Sequence, residues 1–159
     1  MKIFFMRHAE AEDGTDDAKR ALTKKGRRDA REMGRFLRRG AVVLDAAFTS
    51  PLVRARETAE EVLRQCPMAK NRRLRRSRAL VNGAEWRALA VSLAKMPADA
   101  SVLLVGHEPS LSAHIRRYLG MKRATSLVLS KGAVVRIDVE DRGECPATLR
   151  FMIGPKQLS

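Results

Sequence analysis

Short apolar runs alternate along the chain with segments whose apolar residues recur at helical spacing, which is the pattern of an α/β domain. Lys2 to Met6, with Ile3-Phe4-Phe5-Met6 at its centre, reads as a buried strand. Thr23 is placed to cap a helix in which Ala30, Met33, Phe36 and Leu37 fall at i, i+3, i+6 and i+7, with Gly40 as the stop. Asp45 to Thr49 reads as a second strand. The helix that follows, Leu52 to Arg64, sets Ala55, Ala59, Val62 and Leu63 on one face and ends at Cys66-Pro67. Lys70 to Leu80 alternates poorly and reads as an edge strand or a loop. Trp86, Leu89, Ala90 and Leu93 repeat at helical spacing ahead of Pro97, and Val102 to Val105 reads as a central strand. Pro109 suits the first turn of a further helix whose inner face carries Leu111, Ile115, Tyr118 and Leu119 up to Gly120. Ala133 to Val139 and Thr148 to Ile153 alternate as strands, and a hairpin around Asp141-Arg142-Gly143 would join them.

A length of 159 residues suits one domain, residues 1–159, with little room for a second. No run of about 18 apolar residues exists, and the first residues lack the long apolar stretch of a signal peptide. The chain is therefore expected to be soluble, cytoplasmic and without a membrane partner. Cys66 and Cys145 are too few and too far apart for a metal cluster, and they read as reduced thiols. No metal and no cofactor are expected.

Charge changes the picture more. The formal net charge is +14, and Lys70 to Arg78 alone holds Lys70, Arg72, Arg73, Arg75, Arg76 and Arg78. Such a field draws phosphorylated or acidic partners and also binds nucleic acid non-specifically. A solvated surface rich in Arg explains the same numbers. A nucleic-acid binder is the weaker alternative, because helix-turn-helix signals, zinc spacing and interleaved aromatic motifs are all absent.

The candidate chemistry sits where predicted strands end. Arg7-His8 follows the first, Arg54 lies just beyond the second, and His107 follows Val102 to Val105. In an open α/β sheet, ligands bind beyond the carboxyl ends of the strands, so these side chains are expected to converge. Guanidiniums offer two-pronged donors to phosphate oxygens, and nearby positive charge keeps an imidazole neutral and nucleophilic. The expected mechanism is attack by His8 on an incoming phosphoryl group, forming a phosphohistidine that water hydrolyses, with Arg7, Arg54 and His107 holding the transferring group.

Four ordered segments carry a resemblance: Arg7-His8, Leu22-Thr23-Lys24-Lys25-Gly26, Ser50-Pro51 through Arg54-Ala55 to Thr58-Ala59, and Gly106-His107-Glu108-Pro109. Together they resemble the histidine phosphatase superfamily, the group that includes phosphoglycerate mutase, and within it the small SixA-type phosphohistidine phosphatases. The resemblance implies a three-layer α/β/α, phosphoglycerate mutase-like fold, with a mostly parallel central sheet and helices on both faces. It also implies a phosphatase acting on protein phosphohistidine, with a broad phosphomonoesterase on small phosphate esters or sugar phosphates as the alternative. A non-catalytic phosphoprotein-binding module is a further one. The expected partner is a phosphorylated protein or a small phosphate ester, with no specific nucleic acid, and the chain is expected to be a monomer.

Ala9 stands where many relatives have Gly. Mutase-type relatives use a Glu as general acid, and Glu85 is the nearest positional candidate for that role and for substrate binding; a first-turn Glu favoured by the helix dipole is the plainer reading. SixA-type members lack an obvious acid, which suits a phosphoramidate, whose leaving nitrogen protonates readily. Glu10, Glu12 and Asp13 read as a solvated loop, His114 as structural or exposed, and Trp86 as core. Arg56 is expected to point away from the pocket, and Ser50 to cap a helix rather than touch phosphate.

Overall fold

The computed structural model describes residues 1–121, 127–140 and 147–158. Among the described residues six strands form one sheet: β1 (Lys2–Arg7), β2 (Ala46–Thr49), β3 (Leu74–Arg76), β4 (Ser101–Gly106), β5 (Val134–Asp138) and β6 (Thr148–Ile153). Their spatial order is β3-β2-β4-β1-β5-β6. The pairs β3/β2, β2/β4 and β4/β1 are parallel, while β5 runs antiparallel to both β1 and β6. The expected turn around Asp141-Arg142-Gly143, like Cys145, lies outside the described residues.

Four α-helices among the described residues cover the sheet: α1 (Lys24–Arg39), α2 (Val53–Leu63), α3 (Arg87–Ala94) and α4 (Ser110–Tyr118). Side chains alternate across a strand, so the buried strands supply two cores. Phe4, Met6, Ala47, Leu103 and Val105 meet Ala30, Met33 and Leu37 of α1 and Ala55, Ala59 and Val62 of α2. On the other face, Ile3, Phe5, Val102 and Leu104 meet Leu89 and Leu93 of α3 and Leu111 and Ile115 of α4. This is the three-layer α/β/α arrangement that the apolar pattern and the resemblance imply.

Local chemistry sets the helix limits. Thr23 caps α1, its hydroxyl oxygen accepting from the Gly26 N–H at 2.9 Å, and Gly40 closes the helix with its N–H on the Phe36 carbonyl at 3.1 Å. The third helix begins one residue later than its apolar spacing suggests, with Trp86 at the N-cap; Pro109 likewise precedes the first turn of α4 rather than lying within it. The cationic stretch resolves into the short edge strand β3 and a 3-10 turn, Arg78–Leu80. Within β3, Arg75 and Arg76 are exposed and Leu74 is half-buried, so no buried face imposes alternation on the strand's sequence.

Parallel pairing brings three strand ends to one edge. Arg7 lies opposite Gly106 and Thr49 opposite Val105. The ladder continues one residue further, with the His8 N–H on the Gly106 carbonyl and the Ser50 N–H on the Val105 carbonyl, both at 3.0 Å. Residues 8, 50 and 107 therefore leave the sheet side by side.

Gly26 lets the loop after β1 dock on α1. A Cβ there would lie 2.0 Å from the Glu10 carbonyl oxygen, which is backbone and has no rotamer to escape through. The same loop's Glu10 accepts from the Thr23 hydroxyl at 3.0 Å. Gly26→Ala is expected to lower stability by about 2–3 kcal/mol in urea unfolding, the scale of an overpacked core. Gly40→Ala, whose Cβ would meet nothing nearer than 3.4 Å, should change it by less than about 1 kcal/mol.

Candidate active site

His8 stands at the end of β1, buried, with its ring tilted against that of His107 at a centroid separation of 4.9 Å. Its Nδ1 lies 2.8 Å from the Ala9 carbonyl oxygen. A carbonyl only accepts, so Nδ1 must carry the ring proton, and Nε2 is left with its lone pair. Burial lowers the His8 pKa to about 4, against the bond to Ala9, with Arg54, Arg7 and Lys131 adding positive charge in the same direction as burial. Neutrality therefore comes first from desolvation and only then from the cations, whereas the charge pattern along the chain points to the cations alone.

His107 follows β4, also buried, and its Nε2 lies 2.9 Å from the Ser50 hydroxyl. Its pKa is lowered to about 3, by burial first and then by His8, Arg54 and Arg7, while Asp17 acts in the opposite sense. Ser50 does not cap α2. Leu52 holds the N-cap position, and the Ser50 hydroxyl instead accepts from the Leu52 N–H at 3.2 Å and orients His107.

The two arginines are held differently. Arg7 donates from Nη1 to the Leu129 carbonyl at 2.8 Å, while its buried Nε has no hydrogen-bond partner. A buried donor left unmatched is costly, and an oxyanion would satisfy it. Arg54, in the first turn of α2, is buried with both terminal nitrogens on Asp17. Thr58 joins the two halves of the site: its hydroxyl donates to the Arg54 carbonyl at 2.6 Å and accepts from the Ala9 N–H at 3.0 Å.

Arg7, His8, Arg54 and His107 thus share one electrostatic neighbourhood at the carboxyl edge of the sheet. Glu85 is not joined to them. It is exposed in the loop before α3, outside the helix's first turn, and lines an open depression with Trp86, Arg87, Ala90 and Arg117. Arg56 lies against Glu60 at 3.7 Å, and His114 stacks on Trp86 at 4.0 Å. Asp17, Lys131 and the Ser50–His107 bond were missed by sequence reasoning. Asp17 belongs to a polar loop in which every acid looks alike, and Lys131 is separated from His8 by most of the chain. Among the described residues no three His, Cys, Asp or Glu side chains form a metal-binding group, and no helix is long and apolar enough to cross a membrane.

The sequence profile of the histidine phosphatase superfamily (branch 1) matches residues 3–79. An uncharacterized protein of Picosynechococcus sp. is 30% identical over 171 aligned positions, covering 99% of each chain. The phosphohistidine phosphatase SixA of Escherichia coli is 38% identical over 63 residues, 39% of each chain. A solved structure of the protein histidine phosphatase SixA with tungstate superposes at a TM-score of 0.87 over 100% of both chains, with 23% identity. The chain belongs to the histidine phosphatase superfamily. Within it, the likeness is to the SixA type.

Because His8, His107 and His114 all have pKa values below the ordinary 6.5, the unfolded chain binds more protons than the folded one as pH drops below that value. Their contribution to stability is intact above pH 6.5 and is lost as pH falls towards about 4. Urea unfolding between pH 7.5 and 4.5 should show stability falling with acidification, by up to about 1.4 kcal/mol per pH unit for each histidine. A flat profile over that range would contradict buried neutral imidazoles.

Proposed function

We propose that this chain is a phosphatase working through a covalent phosphohistidine at His8, with protein phosphohistidine as its substrate. Nε2 of His8 donates its lone pair to phosphorus, a P–N bond forms, and the bond to the leaving group breaks as that group departs with its electron pair and takes up a proton. Water then attacks the phosphoryl group, releasing inorganic phosphate and returning the electron pair to Nε2. Arg7 and Arg54 supply the positive charge, and together with neutral His107 the hydrogen bonds, that spread over the three equatorial oxygens. The observation that carries this reading is the tautomer of His8, since the Ala9 carbonyl leaves Nε2 unprotonated beside His107 and within the field of both arginines.

The acids at hand bear on the leaving group. An alkoxide needs a proton donor with a pKa near neutrality. Asp17, which is bonded to Arg54, is held below the ordinary carboxylate range by that hydrogen bond and stays ionised, and Glu85 lies exposed in a depression that Arg87 and Arg117 also line. This equipment favours a phosphoramidate, whose nitrogen protonates readily, over a phosphate ester. The broad phosphomonoesterase remains the alternative, to be separated by relative rates on N-phosphohistidine and on simple esters.

His8→Ala should abolish turnover with the fold preserved. Radioactive phosphoryl donor should label the wild-type chain with the acid-labile, alkali-stable behaviour of phosphohistidine, and leave the variant unlabelled. Arg7→Ala and Arg54→Ala should each lower kcat/KM about 100-fold, or about 3 kcal/mol. The acid limb of the rate profile is expected near pH 4 rather than 6.5, because protonation of His8 removes the nucleophile. An acid limb centred at 6.5 would place the nucleophile elsewhere.

A further inference from the structure

Asp17 holds a position that phosphoryl transfer does not use. It opens a short 3-10 turn, Asp17–Lys19, in the loop between β1 and α1, and it engages both terminal nitrogens of the Arg54 guanidinium. Its backbone carbonyl accepts from Nη1 at 2.6 Å and its Oδ2 from Nη2 at 3.0 Å. The other carboxylate oxygen, Oδ1, accepts from Arg20 Nη1 at 3.1 Å, and Arg20 is itself fixed by a 2.7 Å bond from Nε to the Glu12 carbonyl. The carboxylate is therefore tethered at both oxygens. The Arg54 side chain is 8% exposed and that of Asp17 is 64% exposed, so the acid lies on the solvent side of a buried cation. Its charge also reaches His107, where it opposes the two arginines.

An anion approaching Arg54 from solvent meets this carboxylate first. We infer that Asp17 is a specificity-determining residue: a resident counter-anion on Arg54 that disfavours substrates whose leaving group carries its own negative charge, and favours those whose leaving group carries a positive one. The inference rests on the reading of Arg54 as a ligand of the transferring phosphoryl group. Like charges juxtaposed at a partly desolvated mouth repel more strongly than in bulk water, and such a repulsive element selects among substrates that share one phosphoryl group. A phosphohistidine ring protonated on its free nitrogen approaches Asp17 as a cation and departs as neutral imidazole. A departing hydroxy acid brings a second carboxylate instead.

The test compares wild type with Asp17→Asn, which keeps the size and an oxygen acceptor for Arg54 while removing the charge. Three small substrates are used: N-phosphohistidine, ethyl phosphate, and phosphoglycolate, which is an ester like ethyl phosphate but has a carboxylate on its leaving group. Asp17→Asn should raise kcat/KM for phosphoglycolate relative to ethyl phosphate at least tenfold, and lower it for N-phosphohistidine relative to ethyl phosphate. A phosphoglycolate ratio that moves less than twofold, or an equal fall on all three substrates, overturns the inference and leaves only a structural role. Calorimetric binding of phosphoglycolate and ethyl phosphate keeps the two readings apart. If wild type binds both and turns over none of the three, the phosphatase reading fails, and Asp17 is then judged on whether the variant shifts the affinity ratio tenfold or leaves it unchanged. If neither anion binds either protein, both readings fall.

Discussion

Parallel pairing of β1 with β4, and of β4 with β2, is the constraint on which the rest depends. Parallel strands must return by crossovers, and here α1 and α2 lie on the sheet face opposite α3 and α4, so every strand end that leads to a helix emerges at the same edge. The register Arg7 to Gly106 then fixes His8 beside His107. A slip of one residue would turn Phe4 and Met6 to the other layer and break two cores at once, which is why the register, and with it the site, is well specified.

Burial does chemical work as well as structural work. The same apolar layers that hold β1 and β4 bring both imidazole rings out of water, and desolvation is the largest influence on each. The arginines reinforce that effect rather than create it. A neutral histidine with its proton committed to Ala9 keeps the free lone pair that the proposed attack on phosphorus requires, and the unsatisfied Nε of Arg7 is suited to an oxyanion. Asp17 offsets part of the positive charge, so the pocket is less cationic than a chain of net charge +14 suggests.

The elements easiest to recognise were those with a buried face and a chemical boundary. For α1, four apolar positions, the Thr23 hydroxyl and Gly40 all point to the same limits, and for β1 and β4 the apolar runs leave no other period. β3 was ambiguous because an exposed edge strand ending in Arg75 and Arg76 buries no alternating face. Glu85 stands out only by position, and the loop before α3 leaves it exposed in a depression with Trp86, Arg87, Ala90 and Arg117. Ser50 looked like a cap because Ser commonly is one, yet its hydroxyl serves Leu52 and His107.

Sequence alone determined the order of strands and helices, and it placed Arg7, His8, Arg54 and His107 at strand ends, because periodicity, caps and stops are local properties that a chain declares over a few turns. Only the tertiary structure decided which ring nitrogen of His8 holds the proton, which influence keeps that ring neutral, and which acid meets Arg54. Those outcomes depend on burial and on contacts such as Asp17 with Arg54, 37 positions apart, and no local pattern encodes which of several similar carboxylates a folded chain will bring to one guanidinium.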